Sequence, residues 1–479
     1  MNRKKEILKN ITLSFLVISS LVLFAGSWLR EWSGIDKNNE NFINTLASKV
    51  GLSGFFGDSI DYPNGSDVVA PASIVLTSGA ERVILNKGTD MYSSKYGDIL
   101  SILLSLKSER CVEVNSSEWF SSNKSQAIYL DYDINYHREV FMSALDIPLP
   151  PEIASVSGII LASNDSATNK LVAYIHDDTE DKYYKISTNK SARNVKSLLS
   201  SVSNYKNIPF ATELGFNTAA DEDIKQQVII NGNVPIDLES HRLSPVEVSL
   251  PEKTISDIED KKFNSILSLF GLSRSSAQEY ADKDGSFMYI DTYGTLSYKI
   301  EENRSIVEYS SASKMAEGFS GSEALYKALY SGYSNSVNIL EAFGLDNITL
   351  KISSDILSKS YNEEGIMTIY MDYCYNGIPV YFTQDNIIIH PVEMKFSGEN
   401  LIYYKQFLIE LSPTGSYKDI PPVLNAINNL TYLLEKEDET YYINDIHKAY
   451  TITSFGLEGN WCVKLENDEN IYAIKVSIP

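Results

Sequence analysis

The sequence is poor in the residues from which small reactive sites are made. It has three cysteines, Cys111, Cys374 and Cys462, in 479 residues. Cysteines this few and scattered exclude a disulfide framework. Cys374 and Cys462 could bridge only if their strands are neighbours, and buried free thiols are the expected state. The five histidines are isolated, and neither Cys-x-x-Cys nor His-Glu-x-x-His occurs, so no metal site is expected. A Gly-rich phosphate loop and a Gly-x-Ser-x-Gly elbow are also missing. No cofactor is expected, and nothing announces an enzyme. Positive charge is short as well: 41 Lys and Arg stand against 63 Asp and Glu, a net charge of -22. That balance argues against nucleic acid as a partner and against a bulk that lies flat on an anionic bilayer.

Long charge-free apolar runs are equally scarce, and the one that stands out is near the N-terminus. Ile11 to Trp28 carries no charge and follows Arg3, Lys4, Lys5 and Lys9. Its length nearly matches the ~20 residues a helix needs to cross a bilayer. We read residues 11–29 as a single transmembrane helix. The basic cluster places residues 1–10 in the cytoplasm and sends the rest of the chain outside, so the expected location is the cell membrane. Trp28 and Trp32, with Arg30 between them, suit the outer interface. The alternative is a secretory signal cut near Ala25-Gly26-Ser27, but the run exceeds the usual ~7–15-residue signal core. Thr12, Ser19 and Gly26 recur every seven residues, with Leu16 and Leu23 between them. This spacing fits a helix–helix seam in the membrane, where small and hydroxyl side chains permit close approach.

What the chain has in abundance is tyrosine and phenylalanine, 31 and 18 of them, which favours strands. The expected class is α+β, with helices packed on antiparallel sheets in three extracytoplasmic domains. Residues 30–67 read as a stalk with one short helical patch around Phe42–Val50. A mixed α/β unit follows over 68–206, with strands at 73–77, 81–85, 126–132, 158–162, 170–176 and 182–187 and an amphipathic helix at 97–107. Pro148-Leu149-Pro150-Pro151 breaks regular structure in a surface loop.

The middle unit, 207–317, has strands at 228–231, 246–250, 286–291, 296–300 and 306–309. Its helix runs from Ile255 to Gly271, with Ser256-Asp257-Ile258-Glu259 spaced as a capping box. The last unit, 318–479, opens with a helix to Gly344. Strands follow at 348–352, 365–376, 378–383, 387–395 and 401–411, then a helix at 423–435. A hairpin of 461–465 and 471–478 turns at Asn467-Asp468-Glu469-Asn470. Ser265–Leu272 aligns with Asn338–Leu345, each a helix end stopped by glycine, and Met288-Tyr289-Ile290-Asp291 echoes Ile369-Tyr370-Met371-Asp372. The last two units therefore look like copies of one module.

Several local patterns imitate active sites. Ser121-Ser122-Asn123-Lys124, Ser203-Asn204-Tyr205-Lys206 and Ser311-Ala312-Ser313-Lys314 fit Ser-x-x-Lys, but no Lys-Thr-Gly follows any of them. Asp282-Lys283-Asp284-Gly285 begins like a calcium loop without its closing Glu, and reads better as a hairpin turn. Asp177-Asp178 and Glu363-Glu364 read as solvated turn residues. Tyr403-Tyr404 and Tyr441-Tyr442 look exposed, suiting either a protein interface or alternating sheet faces.

The architecture resembles the YycH family of regulatory proteins of Gram-positive bacteria. The likeness extends to Pro71-Ala72-Ser73-Ile74-Val75-Leu76 with a Gly97-containing helix entry, and to Val248-Ser249-Leu250-Pro251 through Phe263. It includes Tyr289-Ile290-Asp291-Thr292-Tyr293-Gly294-Thr295-Leu296-Ser297-Tyr298. The run Tyr370-Met371-Asp372-Tyr373-Cys374-Tyr375-Asn376-Gly377-Ile378-Pro379-Val380, with Ala449-Tyr450 to Trp461, is similar to the YycI partner family. None of these motifs is catalytic. The resemblance implies a regulator of a two-component system controlling cell-wall metabolism, which associates with a YycI-like partner and a membrane sensor histidine kinase and lowers the kinase's activity. Two other readings compete. One is a module that binds a cell-wall fragment in an aromatic-lined cleft; the other is a wall-modifying enzyme.

Overall fold

The computed structural model describes residues 65–474, apart from 107–109, 165–168, 217–226, 240, 245, 284, 313–321, 358–364, 385–386, 416–417, 421, 435–439, 454–455 and 466–470. The expected cytoplasmic tail, the expected membrane helix, most of the expected stalk and the expected turn at Asn467–Asn470 lie outside the described residues.

The chain enters through α1 (Gly65–Val68), which straddles the expected end of the stalk at residue 67 and buries Val68. A seven-stranded sheet is then built from β1 (Ser73–Ser78), β2 (Glu81–Asn86), α2 (Asp90–Leu104), β3 (Arg110–Val114), α3 (Ser116–Ser122), β4 (Gln126–His137), α4 (Arg138–Leu145), β5 (Ser155–Asn164), β6 (Lys170–Asp177), β7 (Lys182–Ser191) and α5 (Arg193–Ser200). Its order is β2-β1-β4-β5-β6-β7-β3, antiparallel throughout. Both faces are covered. Ile159 and Leu161 join the main core, while Ile160 and Ala162 turn the other way with Trp119 of α3. Two-sided burial explains why β5 reads as a continuous apolar run rather than an alternating one.

The remainder forms β8 (Gln227–Ile230), β9 (His241–Leu243), β10 (Val246–Ser249), α6 (Asp260–Leu269), β11 (Gln278–Ala281), β12 (Phe287–Ile290), β13 (Gly294–Ile300), β14 (Ser305–Ser311) and α7 (Ser322–Phe343). Then come β15 (Ile348–Ile352), β16 (Ile366–Tyr375), β17 (Ile378–Gln384), β18 (Ile387–Ile389), β19 (Val392–Ser397), β20 (Asn400–Leu408), β21 (Glu410–Pro413), β22 (Lys418–Ile420), α8 (Val423–Leu434), β23 (Thr440–Thr453), β24 (Gly456–Leu465) and β25 (Ile471–Ile474). Fourteen of these strands share one sheet, whose main path is β11-β12-β13-β14-β20-β19-β16-β17-β23-β24-β25. The sheet continues unbroken from the middle stretch to the last one, because β14 pairs with β20. At that join Tyr309 faces Tyr404, and Phe270 at the end of α6 lies against both rings, 4.8 and 5.2 Å away. The described residues are thus α+β, with eight α-helices and largely antiparallel sheets.

Helices α6 and α7 end alike. Leu272 N–H reaches Leu267 O and Gly271 N–H reaches Ser268 O; Leu345 and Gly344 make the matching bonds to Leu340 and Glu341. Each pair is a Schellman closure with glycine in the left-handed region, φ 68° at Gly271 and 75° at Gly344. The residue after each glycine, Leu272 or Leu345, is buried beneath it.

Several boundaries differ from expectation. Helix α2 begins at Asp90 rather than near Gly97, capped by Thr89 Oγ1 accepting from Tyr92 N–H. Tyr92 and Tyr96 continue its apolar stripe, satisfying their hydroxyls on the carbonyls of Pro71 and Val69. The capping pair lies at Thr254 and Asp257, on a short 3-10 turn, not at Ser256 and Glu259. The strand expected over 387–395 is split into β18 and β19, which flank His390-Pro391 and pair with different neighbours. Leu149 and Pro150 of the proline run are buried although their backbone is irregular.

Gly271 offers a clean test of the cap, because a Cβ there would meet nothing within 4 Å. Gly271→Ala is expected to cost about 1–2 kcal/mol from the left-handed backbone alone. Urea unfolding should show a lower midpoint with an unchanged slope.

Candidate functional site

The strongest concentration of ionisable groups lies where the two sheets meet, and it is organised by a break in β4. Pairing of β4 with β5 loses register between Asp131 and Tyr136, and Asp133 sits at φ 59°. Such a bulge re-aims side chains that a regular strand would send elsewhere. Asp131 Oδ1 accepts from Asp133 N–H at 3.1 Å, fixing the turn. The segment after β15 docks against this bulge. Asn135 N–H donates to Asp355 Oδ1 at 2.7 Å, Ile356 N–H to Asn135 O at 2.8 Å and His137 N–H to Ile356 O at 2.7 Å.

Lys351 of β15 extends across the junction to pair with Asp133, the two side chains only 10% and 13% exposed. Burial works to lower the Lys351 ammonium, and Asp133 outweighs it, holding the group above its ordinary range. Asp131 is pushed up to about 7, first by burial and then by the like charges of Asp445 and Asp133. Asp445, on β23, is 2.6 Å from His447 Nδ1, whose Nε2 lies 2.8 Å from the Tyr381 hydroxyl. Burial raises Asp445, but the His447 ring more than offsets this and leaves it below the usual carboxylate range. A second pair joins Asp372 of β16 to His390 Nδ1, in the step between β18 and β19, at 2.8 Å, with the imidazole stacked on Tyr370 of β16.

This arrangement is suited to holding rather than to reacting. Tyr381 is buried and pushed well above the ordinary phenol range, and burial raises the Cys374 thiol to about 11. Both stay protonated near neutrality. A cleft of about 480 Å³ lies elsewhere, beside α7, and is lined by Tyr333, Val337, Leu340 and Leu345 with Lys262 and Glu341. Tyr333 is the single aromatic in its lining.

The residues singled out in the sequence do not converge. Thr12, Ser19, Gly26 and Glu363-Glu364 lie outside the described residues. Ser121 donates to the Glu118 carbonyl within α3, and Lys206 pairs with Glu239 at 2.5 Å. Ser311 ends β14, and the Ser313 and Lys314 of its tetrad are outside the described residues. Asp282 and Gly285 form the β11–β12 turn, with Asp282 N–H on Ser286 O and Gly285 N–H on Asp282 O. Cys374 and Cys462 are free and buried. They lie on β16 and β24, with β17 and β23 between them, roughly 14 Å apart at the usual strand spacing.

Two readings need correction. Asp177 is not solvated: it is fully buried and accepts from Ala154 N–H, Ser155 N–H and the hydroxyls of Ser155 and Thr179. Burial raises this carboxyl, but those donors together bring it below its ordinary value. Tyr404 is likewise buried, bonded to Ser336 and Gln406, while Tyr403 on the opposite face is half-buried. The side chains of Tyr441 and Tyr442 are outside the described set. The sequence reading missed the junction, although a signal was present: Asp131, Asp133 and Lys351 are charges inside otherwise apolar strands.

Two outcomes test the junction. The native protein keeps a proton on Asp131 up to pH about 7, whereas the unfolded chain releases it near pH 4. Native Asp131 therefore makes stability fall as pH rises through that window, by at most about 1.4 kcal/mol per pH unit. Asp131→Asn should remove that fall in urea titrations at successive pH values. Lys351→Met should cost about 3–5 kcal/mol by stranding Asp133 without a counter-charge, and adding Asp133→Asn should restore much of the loss.

No helix of the described residues is long and apolar enough to cross a membrane, and no group of three or more His, Cys, Asp or Glu among them could hold a metal ion. No family model matches the chain, and no curated protein sequence does. Among solved structures it is similar to YycH from Bacillus subtilis, with a TM-score of 0.54 and 12% identity over 86% of this chain and 98% of that one. An overlap of that extent at so low an identity speaks to architecture, and the architecture of this chain is YycH-like.

Proposed function

We propose that the protein is a membrane-anchored, extracytoplasmic regulator that restrains a sensor histidine kinase governing cell-wall metabolism. The observation that carries this reading is the YycH-like fold over 86% of the chain, behind a charge-free segment, Ile11–Trp28, preceded by basic residues. A fold alone does not define function. Here it is supported by the site chemistry: the buried ionisable groups tie the two sheets together.

In this reading residues 1–10 are cytoplasmic, 11–29 cross the membrane once and the remainder acts outside by protein–protein contact. The partners are the kinase and a YycI-like protein. The matched closures of α6 and α7 support a middle and a last module descended from one unit. Thr12, Ser19 and Gly26 form the seam against a kinase helix. The seam changes kinase output only by binding one kinase conformation better than another.

Replacing both Ser19 and Gly26 with leucine fills the seam and blocks close helix approach. Co-purification of the kinase from membranes should fall about tenfold, equivalent to roughly 1.4 kcal/mol, and kinase output should rise. Unchanged recovery and unchanged output would remove the seam from this account.

A further inference from the structure

Lys351 and Asp133 come from different sheets, and the chain on each side holds them against each other. Asp133 is set in the left-handed region, φ 59°, with its N–H fixed on Asp131 Oδ1 at 3.1 Å. Strand β15 is paired along its whole length with β16, and the segment after it is bonded to Asn135 and His137. Lys351 Nζ meets Asp133 Oδ2 directly, and both side chains are nearly enclosed. The nitrogen therefore rests one bond away from the carbonyl carbon Cγ.

The other carboxylates nearby are already engaged. Asp372 stands across from Lys351 in the β15–β16 pairing, but its two oxygens are held by His390 Nδ1 and by Ser353 Oγ. Asp445 is held by His447 Nδ1. Among the described residues Asp133 is thus the one hydrogen-bonding partner of an ammonium that has three donors. A buried ion pair with donors to spare is a costly resting state. A secondary amide between the same two groups carries no charge, and its single N–H needs one acceptor.

We infer that Lys351 and Asp133 condense into a side-chain amide, an isopeptide bond from Nζ to Cγ that ties β15 to β4 covalently. The ion pair described above is the folded chain before this step, and the charge costs assigned there belong to that unlinked state. Within the contact one proton passes from the ammonium to the carboxylate, leaving a neutral amine against a neutral acid. The amine lone pair attacks Cγ, the nitrogen gives up a second proton and the bond from Cγ to the hydroxyl breaks. The hydroxyl takes that proton and leaves as water. The ammonium's three hydrogens are divided between the amide N–H and one water molecule, and nothing is oxidised or reduced. Asp131, beside Asp133, relays the proton. Its carboxyl is pushed up to about 7, so below that pH it holds a proton for the departing hydroxyl and recovers one from the nitrogen. Holding amine and acid in one geometry is equivalent to a reactant concentration of about 10⁵–10⁸ M. The reaction runs once per chain, and its product is a tether. It needs only the fold, so it stands apart from the kinase reading.

The experiment is intact-mass spectrometry of the full-length chain, purified in detergent and then denatured. The parent chain should weigh one water less than its sequence, and protease digestion should release a branched peptide joining the segments around Asp133 and Lys351. Lys351→Arg keeps a cation for Asp133 but offers no amine to acylate, and should show its full sequence mass. Asp133→Asn should link with loss of ammonia in place of water. Asp131→Asn keeps an acceptor for Asp133 N–H without an acidic proton, and its linked fraction soon after synthesis should be at least about tenfold lower. The full sequence mass in the folded parent chain overturns the proposal. So does a missing water that persists in Lys351→Arg, as cyclisation at Asp284-Gly285 would leave, or a digest without the branched peptide. An Asp131→Asn chain that links as fast as the parent overturns the relay.

Discussion

The contact between Lys351 and Asp133 is the constraint on which the relation of the two sheets depends. A buried ammonium and a buried carboxylate each lose several kcal/mol of hydration, and neither is tolerated without the other. Their meeting requires the bulge in β4, which aims Asp133 out of its strand, and it requires β15 to arrive in one register. The backbone bonds of Asn135 and His137 with Ile356 then lock that register. Around the pair, Asp131 and Asp445 add negative charge that one lysine does not balance. The structure accommodates it by raising the Asp131 carboxyl to about 7, through burial and the like charges of Asp445 and Asp133, and by placing His447 beside Asp445.

A junction built this way favours specificity over strength. Apolar residues of the same volume would often hold two sheets as well or better. Charges and hydrogen bonds accept fewer alternative arrangements. For a protein whose proposed role is to present surfaces to partners, fixing the sheets relative to each other fixes what those partners meet.

Most strands were legible because their apolar patterning is strong. Strand β1, for example, was expected at 73–77 and runs over Ser73–Ser78. The failures have a common cause in polar residues with tertiary partners. No strand was placed over 440–453, where alternating sheet faces were only one reading of Tyr441-Tyr442, since Asp445, His447 and Lys448 interrupt the pattern of β23; these groups are satisfied by each other, by Tyr381 and by His241. Helix α2 was begun late because Tyr92 and Tyr96 were not counted toward its apolar stripe, although both rings are buried. Asp177 looked like a turn residue because the donors that surround it come largely from β5, which no local window includes.

By itself the sequence determined the α+β class, the glycine stops of α6 and α7 and the absence of the common catalytic and metal motifs. These are local properties, set by backbone conformation, side-chain periodicity and short spacings. Only the tertiary structure decided that β14 joins β20, that Cys374 and Cys462 are separated by two strands, and that Asp131, Asp133, Lys351 and Asp445 share one enclosure. Those outcomes depend on which strands become neighbours, and strand neighbourhood is chosen by burial and charge pairing between residues hundreds of positions apart.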